Sequence, residues 1–278
     1  MPMSSAQSRS QSHAIRTTKS LIEHRGLLWE LTKREQKDRY AGQMLGVAWS
    51  IGHPLFLILL YVFIFNFVFR QTVGGTAELP RDYTSYLLSG LVPWMAIQES
   101  MSRSCSSVNG KVDLVKQAVF PIEVLPVRVV LASHQSMLVS LACLIVYQLI
   151  KYQSVPSTIL LLPLLLIVQL VFCAGIGCAF AAIAAYLRDL KDIVQVFSTA
   201  GIYLVPVFYL PAWVPGAFKP FLDVNPFSHF IWCYQDILYF GSFRHPISWL
   251  VSTLLAALMF VLGSNVFQRL RVGFGNVL

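Results

Sequence analysis

The chain of 278 residues is 56% hydrophobic and only 12% charged, with a formal net charge of +8. A soluble globular domain carries about 25% charged residues, so the composition excludes an ordinary water-soluble fold and points to lipid as the main solvent. In such a chain the basic excess is read from its placement between apolar runs, and it is not a nucleic-acid signal.

Residues 1–18 read as a flexible cytoplasmic tail, with no cleavable signal peptide expected in the polar, basic opening stretch. Over 19–36, Leu21, Ile22, Leu27, Leu28, Trp29 and Leu31 share one broad helical face, opposite Lys19, Glu23, Glu30, Lys33 and Arg34. That pattern predicts an amphipathic helix lying in the membrane interface, with His24 and Arg25 interrupting its apolar face. A transmembrane domain is expected over 37–268, because a helix needs about 20 apolar residues to cross the hydrocarbon layer. Runs of suitable character occupy 51–69, 83–101, 129–150, 158–187, 193–210 and 247–267. The fourth carries Ala174, Gly175, Gly177 and Ala181, small residues that let another helix approach closely.

Between the last two runs, Pro211, Pro215, Pro220 and Pro226 break a segment rich in aromatic residues. Its apolar pieces are too short to cross, so 211–241 reads as a re-entrant helical pair, with an amphipathic surface loop as the alternative. Residues 269–278 form a second cytoplasmic tail. The expected fold is an all-α membrane protein with six transmembrane helices, an N-terminal amphipathic interfacial helix and a re-entrant helical pair before the last span. With the amino terminus inside, 16 Lys and Arg residues fall on the inner side and 5 on the outer side. This bias places both termini in the cytoplasm.

The sequence has no G-x-x-x-x-G-K-[ST], H-E-x-x-H or G-x-S-x-G, which argues against a P-loop nucleotide site, a zinc protease and an esterase. Its 6 histidines are scattered, and its 5 cysteines contain no C-x-x-C pair. The spans are nearly free of charge, which disfavours an ion-coupled carrier. Glu99, His134 and Asp236 read as helix-end or interfacial residues.

Six stretches then appear in order. They are LLWELTKREQKDRYAGQMLGVAWSIGHPL from Leu27, GLVPW from Gly90, LVKQAVFPIEVLPV from Leu114, YLRDLKDI from Tyr186, VPVFY from Val205 and LDVNPFSHFIWCYQDILYFG from Leu222. Together they resemble the permease subunits of ABC type-2 exporters of the polysaccharide, O-antigen and teichoic acid family. The first matches through Arg34, Glu35, Lys37, Arg39, Tyr40, Leu45, Gly46, Trp49 and Pro54. Gln117 replaces a second basic residue of the third motif, and Gln235 or Asp236 replaces an arginine of the sixth.

The resemblance implies a permease, not an enzyme, in the bacterial cytoplasmic membrane. It implies a homodimer bound to two copies of a separate ABC ATPase that holds ATP and Mg, with no cofactor in this chain. The implied cargo is a polysaccharide on a polyprenyl pyrophosphate, with membrane lipid as a further partner and no nucleic acid. A coupling loop is expected at 106–121, using Val108, Lys111, Val112, Asp113, Leu114, Val115 and Lys116. Arg34, Lys37 and Arg39 are candidates for the lipid pyrophosphate or for anchoring at the interface. Tyr61, Phe65, Tyr83, Tyr86, Trp94, Tyr203 and Tyr209 are candidates for stacking on sugar rings along a glycan path. The alternatives are a type-2 permease for drugs or small lipids, and a membrane-embedded transferase using Asp189 and Asp192.

Overall fold

A computed structural model describes residues 3–68, 79–111 and 120–277, and among these residues all regular secondary structure is helical. Where a flexible tail is expected, helix α1 runs from Met3 to Glu23, and α2 follows from Arg25 to Arg39. Ala14 and Thr17 of α1 are buried, which ties its second half to the rest of the fold. His24 separates the two helices, its ring bonded to the carbonyl of Ser20. The interfacial stretch 19–36 is therefore divided between them.

Helix α3, Trp49–Val62, continues as a π-turn over Phe63–Val68. Helix α4, Tyr83–Cys105, is buried along almost its whole length. Its serines and its Glu99 and Arg103 make it too polar to face lipid, and the helices Val124–Tyr152, Leu162–Tyr186, Leu190–Gly201 and Pro226–Gln235 surround it. Helix α5 spans Val124–Tyr152 and stops where Gln153 adopts a left-handed φ of 52°, its amide donating to the carbonyl of Leu149. A 3-10 turn, Ser157–Leu161, leads into α6, Leu162–Tyr186. The last long helix, α10, covers Pro246–Leu270 and starts with proline at its first position, where the missing amide costs nothing. The segments Val124–Tyr152, Ser157–Tyr186 and Pro246–Gly273 are long and apolar enough to cross a membrane, and Trp49–Phe65 is a shorter apolar helix.

The fifth apolar run differs from expectation. Only α7, Leu190–Gly201, is helical there, and turns follow through Tyr209. Gly201 packs against the Trp94 ring, and Pro206 offers no amide donor. The Pro206 carbonyl instead accepts hydrogen bonds from Tyr86 and Gln235. Within 211–241 two short helices appear, α8 (Lys219–Val224) and α9 (Pro226–Gln235), the second extended by a π-turn to Phe240. Asn225 caps α9 by accepting from the amide of Phe227.

In lipid, apolar burial gives no hydrophobic gain, so close approach and hydrogen bonds hold helices together. The small residues of α6 serve three neighbours. A Cβ on Gly263 of α10 would overlap the backbone of Gly175, whereas Gly177 faces Ser104 of α4 and Val130 of α5.

Asp82, just before α4, fastens that helix to the end of α5. It accepts hydrogen bonds from Ser85 at 2.7 Å, Tyr147 at 2.9 Å and Tyr152, and pairs with Lys151 at 3.2 Å. Burial pushes the Asp82 carboxyl up, but these donors and the Lys151 charge outweigh it and hold the pKa below its ordinary value. Such a group stabilises the fold above the unfolded carboxylate pKa, about 3.9. That contribution disappears as pH falls through the lower folded value. Asp82→Asn is thus expected to lower the melting temperature at pH 7 and to match wild type increasingly closely below about pH 4. Melting curves that stay equally separated across that range would contradict this account.

Candidate functional site: a charged cavity at the α2 end of the bundle

The inward face of α2 is polar. Leu28, Thr32, Glu35, Gln36 and Arg39 follow helical spacing, and α2 packs against α5. Gln36 donates to the carbonyl of Ala132 at 2.7 Å, and Arg39 donates to Ser136 at 2.9 Å and Ser133 at 3.3 Å. Leu27 and Trp29 lie on the exposed side, free to meet lipid.

Three guanidinium groups and two carboxylates converge beside this face. Glu99 pairs with both Arg39 and Arg103 at 2.9 Å. Glu35 pairs with both Arg103 and Arg128 at 3.6 Å. The cluster is left with one net positive charge. The Arg39 side chain is only 5% exposed, and burial pulls its pKa down, against the opposing attraction of Glu99. It remains cationic, as arginine does in proteins. Among the described residues, the Nε atoms of Arg39 and Arg128 are buried without a hydrogen-bond partner.

A cavity of about 440 Å³ opens beside this cluster, lined by residues of α2, α3, α4, α5 and α7, including Arg39, His53, Glu99, Arg103, Ser136 and Gln195. Ser102 donates to Gln195 at 2.9 Å and links α4 to α7 across its rim. An adjoining hollow of about 400 Å³ adds Asp38, Lys111 and Lys191 to Glu35, Arg103 and Arg128. The arrangement suits an anion, because a ligand rich in acceptor oxygens would meet preplaced guanidinium donors at little ordering cost.

The candidates for pyrophosphate do not assemble as a trio. Arg39 faces the cavity, whereas Arg34 and Lys37 are exposed on other sides of α2. Glu35, Glu99, Arg103 and Arg128 complete the cluster, and sequence reasoning did not assemble them. One local signal existed in the i,i+4 pair Glu99 and Arg103. Of the coupling-loop candidates, Val108 is fully buried with Leu125, Ala181 and Ala185, so its side chain offers no outward contact. Lys111 lines the adjoining hollow, and Val112, Asp113, Leu114, Val115 and Lys116 lie outside the described residues.

The aromatic candidates divide similarly. Trp94 is wholly enclosed, edge-on to Phe227 at 5.6 Å. Tyr86 is also enclosed, donating to the carbonyl of Tyr209 at 3.0 Å. Phe65 meets the buried Tyr83 edge-on at 4.7 Å and stacks with Tyr61 at 6.3 Å. Tyr203 is the most open, at 67% exposure, and the Tyr209 hydroxyl donates to its carbonyl.

A family model described as ABC-2 type transporter matches residues 26–239, which takes in the cavity and both short helices. The chain belongs to the ABC-2 type transporter family. It is 30% identical over 266 residues to the O-antigen export system permease protein RfbA of Myxococcus xanthus, covering 94% of this chain and 99% of that one. It is 29% identical over 255 residues to the protein of the same name from Klebsiella pneumoniae, covering 91% of this chain and 95% of the relative. As an ABC-2 type transporter with these apolar helices, the chain is a multi-pass membrane permease.

Proposed function

We propose that this chain is the transmembrane permease of an ATP-driven exporter moving a polyprenyl-pyrophosphate-linked polysaccharide of O-antigen type out of the bacterial cytoplasm. The observation that carries the reading is the arginine cluster on the cavity at the α2 end, with Arg39 and Arg128 buried, in a chain whose relatives are named O-antigen export permeases. In this reading the chain crosses the cytoplasmic membrane six times with both termini inside. The α7 run and its following turns make the fifth crossing, and α8 with α9 form a re-entrant pair on the outer side. The α2 end is cytoplasmic, so the cavity sits where a lipid pyrophosphate meets the protein.

Arg39, Arg103 and Arg128 hold the pyrophosphate, and Glu99 keeps Arg39 and Arg103 together until it arrives. Arg34 and Lys37 collect anionic head groups at the surface. The glycan passes Tyr61, Phe65, Tyr203 and Tyr209, while Tyr83, Tyr86 and Trp94 brace that wall from behind. Two copies of the permease face each other through the apolar surfaces of α3 and α7, where Leu55, Phe56, Ile193 and Val196 are exposed. A separate ABC ATPase, also in two copies, binds ATP and Mg and pushes on the loop 106–121.

The test is to purify the chain alone and with its cognate ATPase. Nucleotide hydrolysis is expected only in the joint complex, and Leu114→Asp with Val115→Asp should abolish the stimulation. A chain that purifies without any ATPase, in cells whose membranes still export glycan, would sink the reading.

A further inference from the structure

A second cavity lies at the opposite end of the bundle, between α8, α9 and the start of α10. It measures about 770 Å³, within the range of small-molecule pockets. Its lining changes character along α10. Arg244 stands just before the helix, whereas Val251 and Leu255 line successive turns further in. At 1.5 Å per residue, Leu255 is roughly 14 Å beyond the first helical residue. The opposite wall carries Asp223, whose carbonyl is fixed by His229 Nε2 at 2.9 Å. Because a carbonyl only accepts, Nε2 donates to it, and Nδ1 is hydrogen-bonded to the Ser248 hydroxyl at 3.0 Å.

The polar end carries Asp223 and Arg244, whose guanidinium also lies over the Phe240 ring at 4.1 Å. The other nearby carboxylate, Asp236, is engaged by the backbone amide and the ring of His245, both at 3.0 Å. Trp232 also lines the cavity, and its indole N–H is buried without a partner among the described residues. A buried indole N–H ordinarily finds an acceptor. A ligand that satisfies the whole lining has a cation, a phosphate or ester oxygen and an apolar tail, in that order from head to membrane interior.

We propose that this cavity binds one zwitterionic aminophospholipid of the outer leaflet. Its ammonium sits beside Asp223, its phosphate beside Arg244, and an acyl chain runs along Val251 and Leu255. The proposal rests on the membrane embedding of the chain and on the outward orientation of this end. It does not depend on which cargo is exported, so a failed export assay leaves it standing.

The experiment uses the full-length chain in mild detergent, titrated with dioleoyl-phosphatidylethanolamine or dioleoyl-phosphatidylglycerol and read by native mass spectrometry. Wild type should retain one phosphatidylethanolamine per chain at a concentration about tenfold below that needed for phosphatidylglycerol, a difference of about 1.4 kcal/mol. Val251→Trp should fill the tail groove and remove the adduct. Asp223→Lys, at an exposed position, should fold normally and reverse the preference toward phosphatidylglycerol. Equal retention of both lipids by wild type, a wild-type preference for phosphatidylglycerol, or adducts indifferent to both substitutions would each overturn the assignment.

Discussion

Replacing Gly263 with leucine should leave essentially no folded protein in the membrane. The helices α6 and α10 meet backbone to backbone at Gly175 and Gly263, and no rotamer relieves a clash that begins at Cβ. Overpacking by side chains alone costs about 1–3 kcal/mol. Here the two helices must separate, which removes the contacts of the most extensive helix pair in the fold. The loss should exceed about 4 kcal/mol, comparable to the total stability of many domains. The measurement is the yield of monodisperse protein in mild detergent and its melting temperature. Gly110→Leu serves as a control, since a side chain there meets open space. A Gly263→Leu protein that melts with wild type would show that the two helices are not in backbone contact.

The second large effect concerns the charged cavity. Arg39→Glu would set a new carboxylate against Glu99 in a site where the native side chain is 95% covered. Breaking a buried pair in this way typically costs about 3–5 kcal/mol. Surface O-antigen, measured by immunoblot, should fall at least about 100-fold, the equivalent of 2.7 kcal/mol. The exchanged pair, Arg39→Glu with Glu99→Arg, restores an attraction across the same gap and should recover most of the melting temperature. Export should nevertheless stay low, because the guanidinium then projects from α4 instead of α2. Full export by the exchanged pair would reduce Arg39 to a structural tie, and normal export by the single variant would remove the cluster from the transport path.

Much of the helical framework was legible because lipid imposes a strong length rule on apolar runs. The runs at 129–150, 158–187 and 247–267 each became a single long helix with boundaries shifted by a few residues. The fifth run did not, because hydropathy does not register that Pro206 lacks an amide or that its carbonyl is bonded by Tyr86 and Gln235. The small-residue patch on α6 was readable as a close-packing signal, but its division between Gly175 and Gly177 depends on which helices arrive from far along the chain.

The cavity was legible only in part. Arg39 stood out within a basic motif, yet its partner Glu99 lies 60 positions away, and no local pattern pairs them. The apolar face of α2 was sought for lipid, and Leu27 and Trp29 are exposed, but composition did not show that Glu35, Gln36 and Arg39 on another side pack inward against α4 and α5. The aromatic candidates were chosen by type, and burial alone separates the enclosed Tyr86 and Trp94 from the open Tyr203.

Glu123, immediately before α5, accepts from Gln268 at 2.8 Å and from Arg271. Gln268 also reaches Thr17 at 3.2 Å, so the carboxylate sits where α1 meets α10. During synthesis this acid leaves the ribosome 148 residues before Arg271. Until α10 and Arg271 have been made and inserted, it waits without the cation that pairs with it. A nascent chain interrupted before that point leaves the Glu123 carboxylate at the start of α5 without its Gln268 and Arg271 partners.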